Sequence, residues 1–310
     1  MASGNDSSVT EFILLGLTQQ PELQLPLFLL FFGIYVITVV GNIGLLVLIR
    51  LNPHLHVPMY YFLFNLSFID LCYSCVISPR MLMTFVKRNI ITYAECMTQI
   101  YFFTLFSIGE CFVLTSMAYD RYMAICKPLF YRVIMSPQVC LRLMAGAYVV
   151  GFVGAMAHMV SLLRLVFCDG NIINHFTCDL PPLFHLSCTN TYISELIVFF
   201  VVGTNAIVPS VTIFVSYTFI LYKIFCIHFT EGRSKAFRTC SSHVISVSLF
   251  FGSGGFMYLR SSSSEFLDQD KVVTIFYTIV GPMLNPFIYS LRNKDVHDAM
   301  RKTLKRRMFT

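Results

Sequence analysis

The residues with the most chemistry in this chain stand where hydrocarbon should be. Asp120-Arg121-Tyr122 ends the apolar run from Ile100 to Ser116 and opens a basic stretch, so an ionisable pair lies at the mouth of a hydrophobic segment. A guanidinium cannot shed its proton and needs an acceptor or water at all times. The adjacent Asp120 can supply that acceptor. Such a pair is a functional candidate by default; its structural alternative is a snorkelling arginine that marks the interface. Asp70 and Glu110 lie in mid-segment, with no Lys or Arg at comparable depth. An unpaired carboxylate there costs about 3 kcal/mol or much more. The two are therefore protonated or share a cation, with Asn42 and Asn285 supplying further oxygens. Paired carboxylates also serve glycosidases and acid proteases, but a dry helical core admits no polymer. His243 is either a pH-sensitive latch or a satisfied core histidine. No HExxH or Walker pattern points to an enzyme.

The elements that hold these residues are set by composition. The 310 residues are 56% hydrophobic and 12% charged, with a mean hydropathy of +0.70, too apolar for a soluble domain. Apolar stretches of roughly 18 to 25 residues cross ~30 Å of hydrocarbon. Seven occur, at about 26–49, 58–83, 96–120, 140–163, 195–222, 237–260 and 271–291. The fold class is all-α: a seven-transmembrane helix bundle with a short amphipathic C-terminal helix. An N-terminal segment at 1–25 precedes the bundle at 26–291, and a tail at 292–310 follows it. With the N-terminus outside, sixteen of the 22 Lys and Arg fall on the inner side, the arrangement the positive-inside rule favours. The net charge of +6 has the same origin and needs no nucleic acid. The tail from Arg292 reads as a helix lying on anionic membrane lipids. No cleavable leader is evident, so the first span directs insertion. Asn5-Asp6-Ser7 is a glycosylation acceptor on the exposed segment; Asn65-Leu66-Ser67 lies inside a span, out of reach. Pro209, Pro282 and Pro286 interrupt spans, and neighbouring helices must satisfy the carbonyls they free. Pro286 beside Asn285 makes a hinge or a static kink.

Seven of the eleven cysteines fall in spans or near the inner face, where they read as small buried apolar residues. Cys96, Cys168, Cys178 and Cys188 fall on the outer side, and four cysteines allow three pairings. We favour Cys96–Cys178 with Cys168–Cys188; Cys96–Cys188 is the main competitor. Either arrangement pins a long loop over the bundle mouth.

These features come in an ordered set of motifs: TEFILLGL (Thr10 to Leu17), Gly41-Asn42, PMYYFLFNLSFID (Pro58 to Asp70), MAYDRYMAICKPL (Met117 to Leu129), Ser216-Tyr217, KAFRTCSSH (Lys235 to His243) and PMLNPFIYSLRN (Pro282 to Asn293). In joint order and spacing the chain resembles, end to end, the olfactory (odorant) branch of the rhodopsin-like G-protein-coupled receptors. It departs from the family's usual pattern at Tyr61, at Arg238, where relatives carry Ser, and at Phe251, where many carry Tyr. The last removes a hydroxyl near the expected ligand floor. The resemblance implies a plasma-membrane receptor with its N-terminus extracellular and C-terminus cytoplasmic. Its partners would be a volatile odorant and a heterotrimeric G protein of the stimulatory, olfactory type, with cyclic AMP as the output.

The resemblance also implies roles. Activation would swing the sixth helix outward and free Arg121, within a switch of Asp120, Tyr122, Tyr217, His243, Asn285, Pro286 and Tyr289. Lys235 and Arg238, with Lys127 and Arg132, would form a basic rim for the G protein or act as plain positive-inside anchors. A structural sodium ion at Asp70 and Glu110 would stabilise the resting state; no other cofactor is expected. Counting outward from Arg121 by helical turns puts Phe103, Thr104, Ser107 and Ile108 in the outer half of the bundle. Val202, Asn205, Phe251, Tyr258 and Thr278 complete the expected ligand site. That set is apolar with a few neutral hydrogen-bonding groups. Phe103 stands where amine receptors place an Asp, and no Lys lies between Val272 and Leu291 to form a retinal Schiff base. Small, neutral, mostly apolar ligands fit best. The rival reading is a transporter or channel, which would predict repeated halves with broken helices or charges at several depths.

Overall fold

The computed structural model describes residues 9–86, 89–168, 170–226, 230–259, 267–292 and 294–308. Its long helices are α1 (Pro21–Leu51), α2 (Pro58–Phe85), α3 (Tyr93–Cys126), α4 (Pro137–Leu162), α5 (Tyr192–Phe225) and α6 (Thr230–Leu259). The seventh, α7, runs from Leu267–Ile275 through a π turn at Phe276–Val280 into Gly281–Arg292; α8 (Lys294–Met308) follows it. Among the described residues, six helical segments are long and apolar enough to cross a membrane.

Local sequence sets the boundaries. Proline at the first turn opens α1, α2 and α4, where its missing N–H costs nothing. Thr92 and Glu95 close a reciprocal capping box on α3, the Thr92 hydroxyl accepting from Glu95 N at 3.2 Å and Glu95 Oε2 from Thr92 N at 2.9 Å. Pro128 ends α3, because the residue before a proline is pushed out of the helical region; Lys127 has φ −134° and ψ 54°.

The first helix starts at Pro21 and the sixth at Thr230, a few residues before the apolar runs that begin near 26 and 237. Before α1 the chain also forms a strand that the apolar-run reading did not foresee. β1 (Glu11–Leu14) pairs antiparallel with β2 (Ile90–Thr92) and parallel with β3 (Ile172–Ile173), giving the order β2-β1-β3. Strand alternation places Phe12 and Leu14 on the buried face. Gly16 ends the segment at φ +74°, with its N–H donated to His175 O at 3.2 Å.

In the bundle, α3 packs against α2, α4 and α5, and α7 against α1 and α6. Two glycines allow the closest approach. A Cβ on Gly151 would lie 2.6 Å from Leu105 O, and one on Gly154 2.4 Å from Ile108 Cδ1. α8 docks through Val296 and Ala299, both buried, and through Tyr60, which donates to Asp295 Oδ2 at 3.1 Å.

Candidate functional site

Arg121 and Asp120 are both buried at the end of α3. Asp120 Oδ1 accepts a 2.8 Å hydrogen bond from Tyr131 OH, so the loop tyrosine is its hydrogen-bond partner and the neighbouring Arg121 acts on it only by charge. The Arg121 charge also reaches Tyr217, His243 and Tyr289, on α5, α6 and α7. Tyr217 and His243 stack at 5.7 Å and share a 2.6 Å hydrogen bond at Nδ1. His243 Nε2 lies 3.0 Å from Leu114 O. A carbonyl can only accept, so Nε2 carries the proton, Nδ1 accepts, and Tyr217 is the donor. Both nitrogens are thus used, and His243 joins α3, α5 and α6 as a satisfied core histidine. Tyr122 sits edge-on to Phe219 of α5 at 6.0 Å, with Lys127 Nζ 6.0 Å from its ring.

One helix layer deeper, α7 is tied to its neighbours through the groups that Pro286 frees. Lacking an N–H, Pro286 leaves the carbonyl of Pro282 without its helical donor. Asn42 of α1 supplies one, its Nδ2 lying 3.1 Å from Pro282 O and 3.0 Å from Thr38 O. Gly41 makes room, since a Cβ there would stand 3.3 Å from the Pro286 ring. Asn285 Nδ2 donates to Asp70 Oδ2 at 2.9 Å, and Ser242 of α6 donates to Ile288 O at 3.1 Å. The charges of Asp70 and Glu110 are close enough to interact. Asp70 Oδ1, Glu110 Oε2, Asn42 Oδ1 and Ser74 Oγ are buried without hydrogen-bond partners. An all-oxygen set of this kind suits a hard cation.

At the opposite end, Cys96 is bonded to Cys178 and Cys168 to Cys188. Gln99 reinforces the first bridge, accepting from Cys178 N at 3.0 Å and donating to Val76 O at 3.2 Å. The sequence signal for this glutamine is its place one helical turn after Cys96 in an otherwise apolar run. Beneath the loop, Phe176 is buried with Phe31, Ile77 and Ile279, and Phe103 packs on the same cluster. Phe103 stacks on Tyr73 at 5.3 Å and meets Tyr277 edge-on at 6.4 Å.

The other expected ligand residues do not all converge. The Thr104 hydroxyl meets His158 Nδ1 of α4 at 3.3 Å, and Ile108 fits against Gly154 of α4. Both therefore face the α3–α4 seam. Asn205 and Thr278 spend their donors on their own helices, at Val201 O and Thr274 O. Ser107 and Val202 are half-buried. The side chains of Tyr258, Lys235 and Arg238 lie outside the described residues, as does Asn5. Phe251 lines a cavity of ≈ 460 Å³ between α5 and α6 that extends to Ile224 and Phe237, toward the Asp-Arg-Tyr end. Cys72 and Cys75 have a CxxC spacing that the motif reading overlooked, but both are free thiols within α2, and Cys75 Sγ lies 3.6 Å from Tyr35 OH.

A seven-helix bundle with a disulfide-stapled loop at one end and an Arg-centred cluster at the other is the architecture of a rhodopsin-type receptor. Squid rhodopsin superposes with a TM-score of 0.72 over 92% of this chain and 86% of its own, at 17% identity; at that identity the likeness establishes the fold alone. The olfactory receptor family profile matches residues 31–307. Mouse olfactory receptor 8B3 is 63% identical over 98% of this chain and 96% of its own length. Human olfactory receptor 8B8 is 61% identical over the full length of both. The chain belongs to the olfactory receptor family and is a multi-pass membrane protein, a receptor rather than an enzyme.

Proposed function

We propose that the chain detects small, neutral, mostly apolar volatile odorants in the half of the bundle beneath the disulfide-tied loop. It passes that event to a stimulatory, olfactory-type G protein and so raises cyclic AMP. It acts in the plasma membrane, with the N-terminus and a glycan on Asn5 outside and the C-terminal helix on the cytoplasmic leaflet. One observation carries the coupling role: Arg121 is buried at the end of α3, the helix that a Tyr217–His243–Leu114 O hydrogen-bond chain ties to α5 and α6. A permanent charge held there cheaply only in one packing is what a two-state switch requires. One unpartnered buried oxygen on each of Asp70, Glu110, Asn42 and Ser74 supports a sodium ion held among them, its charge offsetting the carboxylates in the resting packing.

The test is a cyclic AMP assay in cells that supply the olfactory-type stimulatory G protein. An odorant panel should yield at least one agonist for the wild type. Arg121→Ala should lose the response while antibody staining shows the receptor still at the surface. A full response from Arg121→Ala would overturn the coupling role, and an odorant-gated current without G protein would favour a channel.

A further inference from the structure

The cavity between α5 and α6 shares only Phe251 with the expected odorant site, runs from there toward Ile224 and Phe237, and calls for an occupant of its own. On α5 it runs from Ser210 to Ile224, a length of about 21 Å at 1.5 Å per residue. It is therefore long and narrow, unlike the compact space a volatile molecule needs. Its walls are almost wholly apolar, and it opens sideways, with Phe214 74% and Phe237 61% exposed. A sideways opening on a spanning helix pair faces hydrocarbon. At the end nearest Ile224 and Phe237 the surroundings change sign: Lys223 and Arg233 are exposed there. Lys127 and Lys223 both lie near Cys126, at the same end of the bundle.

We propose that this groove is a phospholipid site. It takes one acyl chain of an anionic glycerophospholipid, whose phosphate-bearing headgroup rests on Lys223 and Arg233. The apolar channel matches the chain in length and chemistry, and the basic end distinguishes an anionic headgroup from a zwitterionic one, by about 1 kcal/mol per basic residue near a membrane surface. A basic pocket between spanning helices on the cytoplasmic side is suited to acidic headgroups. Only the choice of leaflet rests on the orientation proposed above. The groove is also bordered by Tyr217, so a bound chain would lie against the residue that hydrogen-bonds His243.

The chain contains no Trp, so a single introduced tryptophan reports without background. Phe214→Trp places it in the groove, and Phe152→Trp, at a position 50% exposed on α4, gives a lipid-facing control. Both variants are reconstituted in phosphatidylcholine vesicles with a small fraction of dibrominated phosphatidylserine or dibrominated phosphatidylcholine. At Phe214→Trp the brominated phosphatidylserine should quench at least twofold more than the brominated phosphatidylcholine, and at Phe152→Trp the two should quench equally. Adding Lys223→Glu and Arg233→Glu to Phe214→Trp should bring the two lipids level. Equal quenching at Phe214→Trp, an excess that survives charge reversal, or the same excess at Phe152→Trp would each overturn the site. None of these readouts uses cyclic AMP, so they stand apart from the signalling assay.

Discussion

At the residue scale, the deep polar groups are explained by which atoms they satisfy. His243 uses both ring nitrogens, one on Leu114 O and one on Tyr217 OH, so removing either partner strands a buried polar atom. Tyr217→Phe leaves Nδ1 without its donor and should cost about 1–3 kcal/mol of stability. Thermal unfolding of purified receptor measures this, and in a His243→Phe background the same change should cost far less. An equal cost in both backgrounds would show that Tyr217 acts through packing alone. Asn42 follows the same logic: its amide fills the vacancy left at Pro282 O by Pro286.

Helix contacts and loops respond to different variables. Gly151 faces backbone, Leu105 O, whereas Gly154 faces the end of a flexible side chain, Ile108 Cδ1. Backbone cannot step aside without moving α3. Gly151→Ala should therefore lower surface expression and melting temperature more than Gly154→Ala, and Ile108→Val should rescue only the latter. The disulfide-tied loop is governed by charge instead. Loss of water raises the Asp179 carboxyl from its usual 3.8 to about 6, and Asp270 adds to the rise. Protonated Asp179 thus contributes stability below 3.8 that is lost as pH climbs through about 6. Burial pushes His175 the other way, from 6.5 to about 4, so its contribution is present above 6.5 and lost as pH falls. The two slopes oppose each other in one window. Asp179 Oδ1 caps Leu180 N at 2.8 Å, a role Asn performs equally well. Asp179→Asn should therefore raise the melting temperature at pH 7, with the gain fading toward pH 4. A gain independent of pH would sink the assignment.

For the whole molecule, Asn285 of α7 meets Asp70 of α2, Glu110 of α3 lies within reach of the Asp70 charge, and Asn42 of α1 reaches α7 at Pro282 O. A cation there would brace the bundle as a unit. The purified wild type should melt higher in sodium chloride than in choline chloride, and Asp70→Asn should abolish the difference. Equal melting of the wild type in both salts would remove the sodium proposal while leaving the hydrogen bonds intact. The α5–α6 groove opens to lipid at the same scale, so the bundle's surroundings reach close to its switch cluster.

Hydrophobicity and basic-residue bias carried the sequence reading a long way. Runs long enough to cross hydrocarbon, few charges, and an ordered set of short motifs were sufficient for the bundle and the family, because lipid permits a spanning chain little besides a helix. The β1 strand was hidden because four residues beside an apolar helix carry too weak a pattern to separate from it. Side-chain direction was hidden for another reason: a helical turn tells which residues share a face but not which neighbour that face meets. Only the packing sends Thr104 and Ile108 toward α4, gives Asp120 to Tyr131, and joins His243 to Leu114 and Tyr217. The sequence by itself determined how many helices cross and which residues are too polar to be there by accident. The tertiary structure decided which of those residues meet, because that depends on distances between helices far apart in the chain.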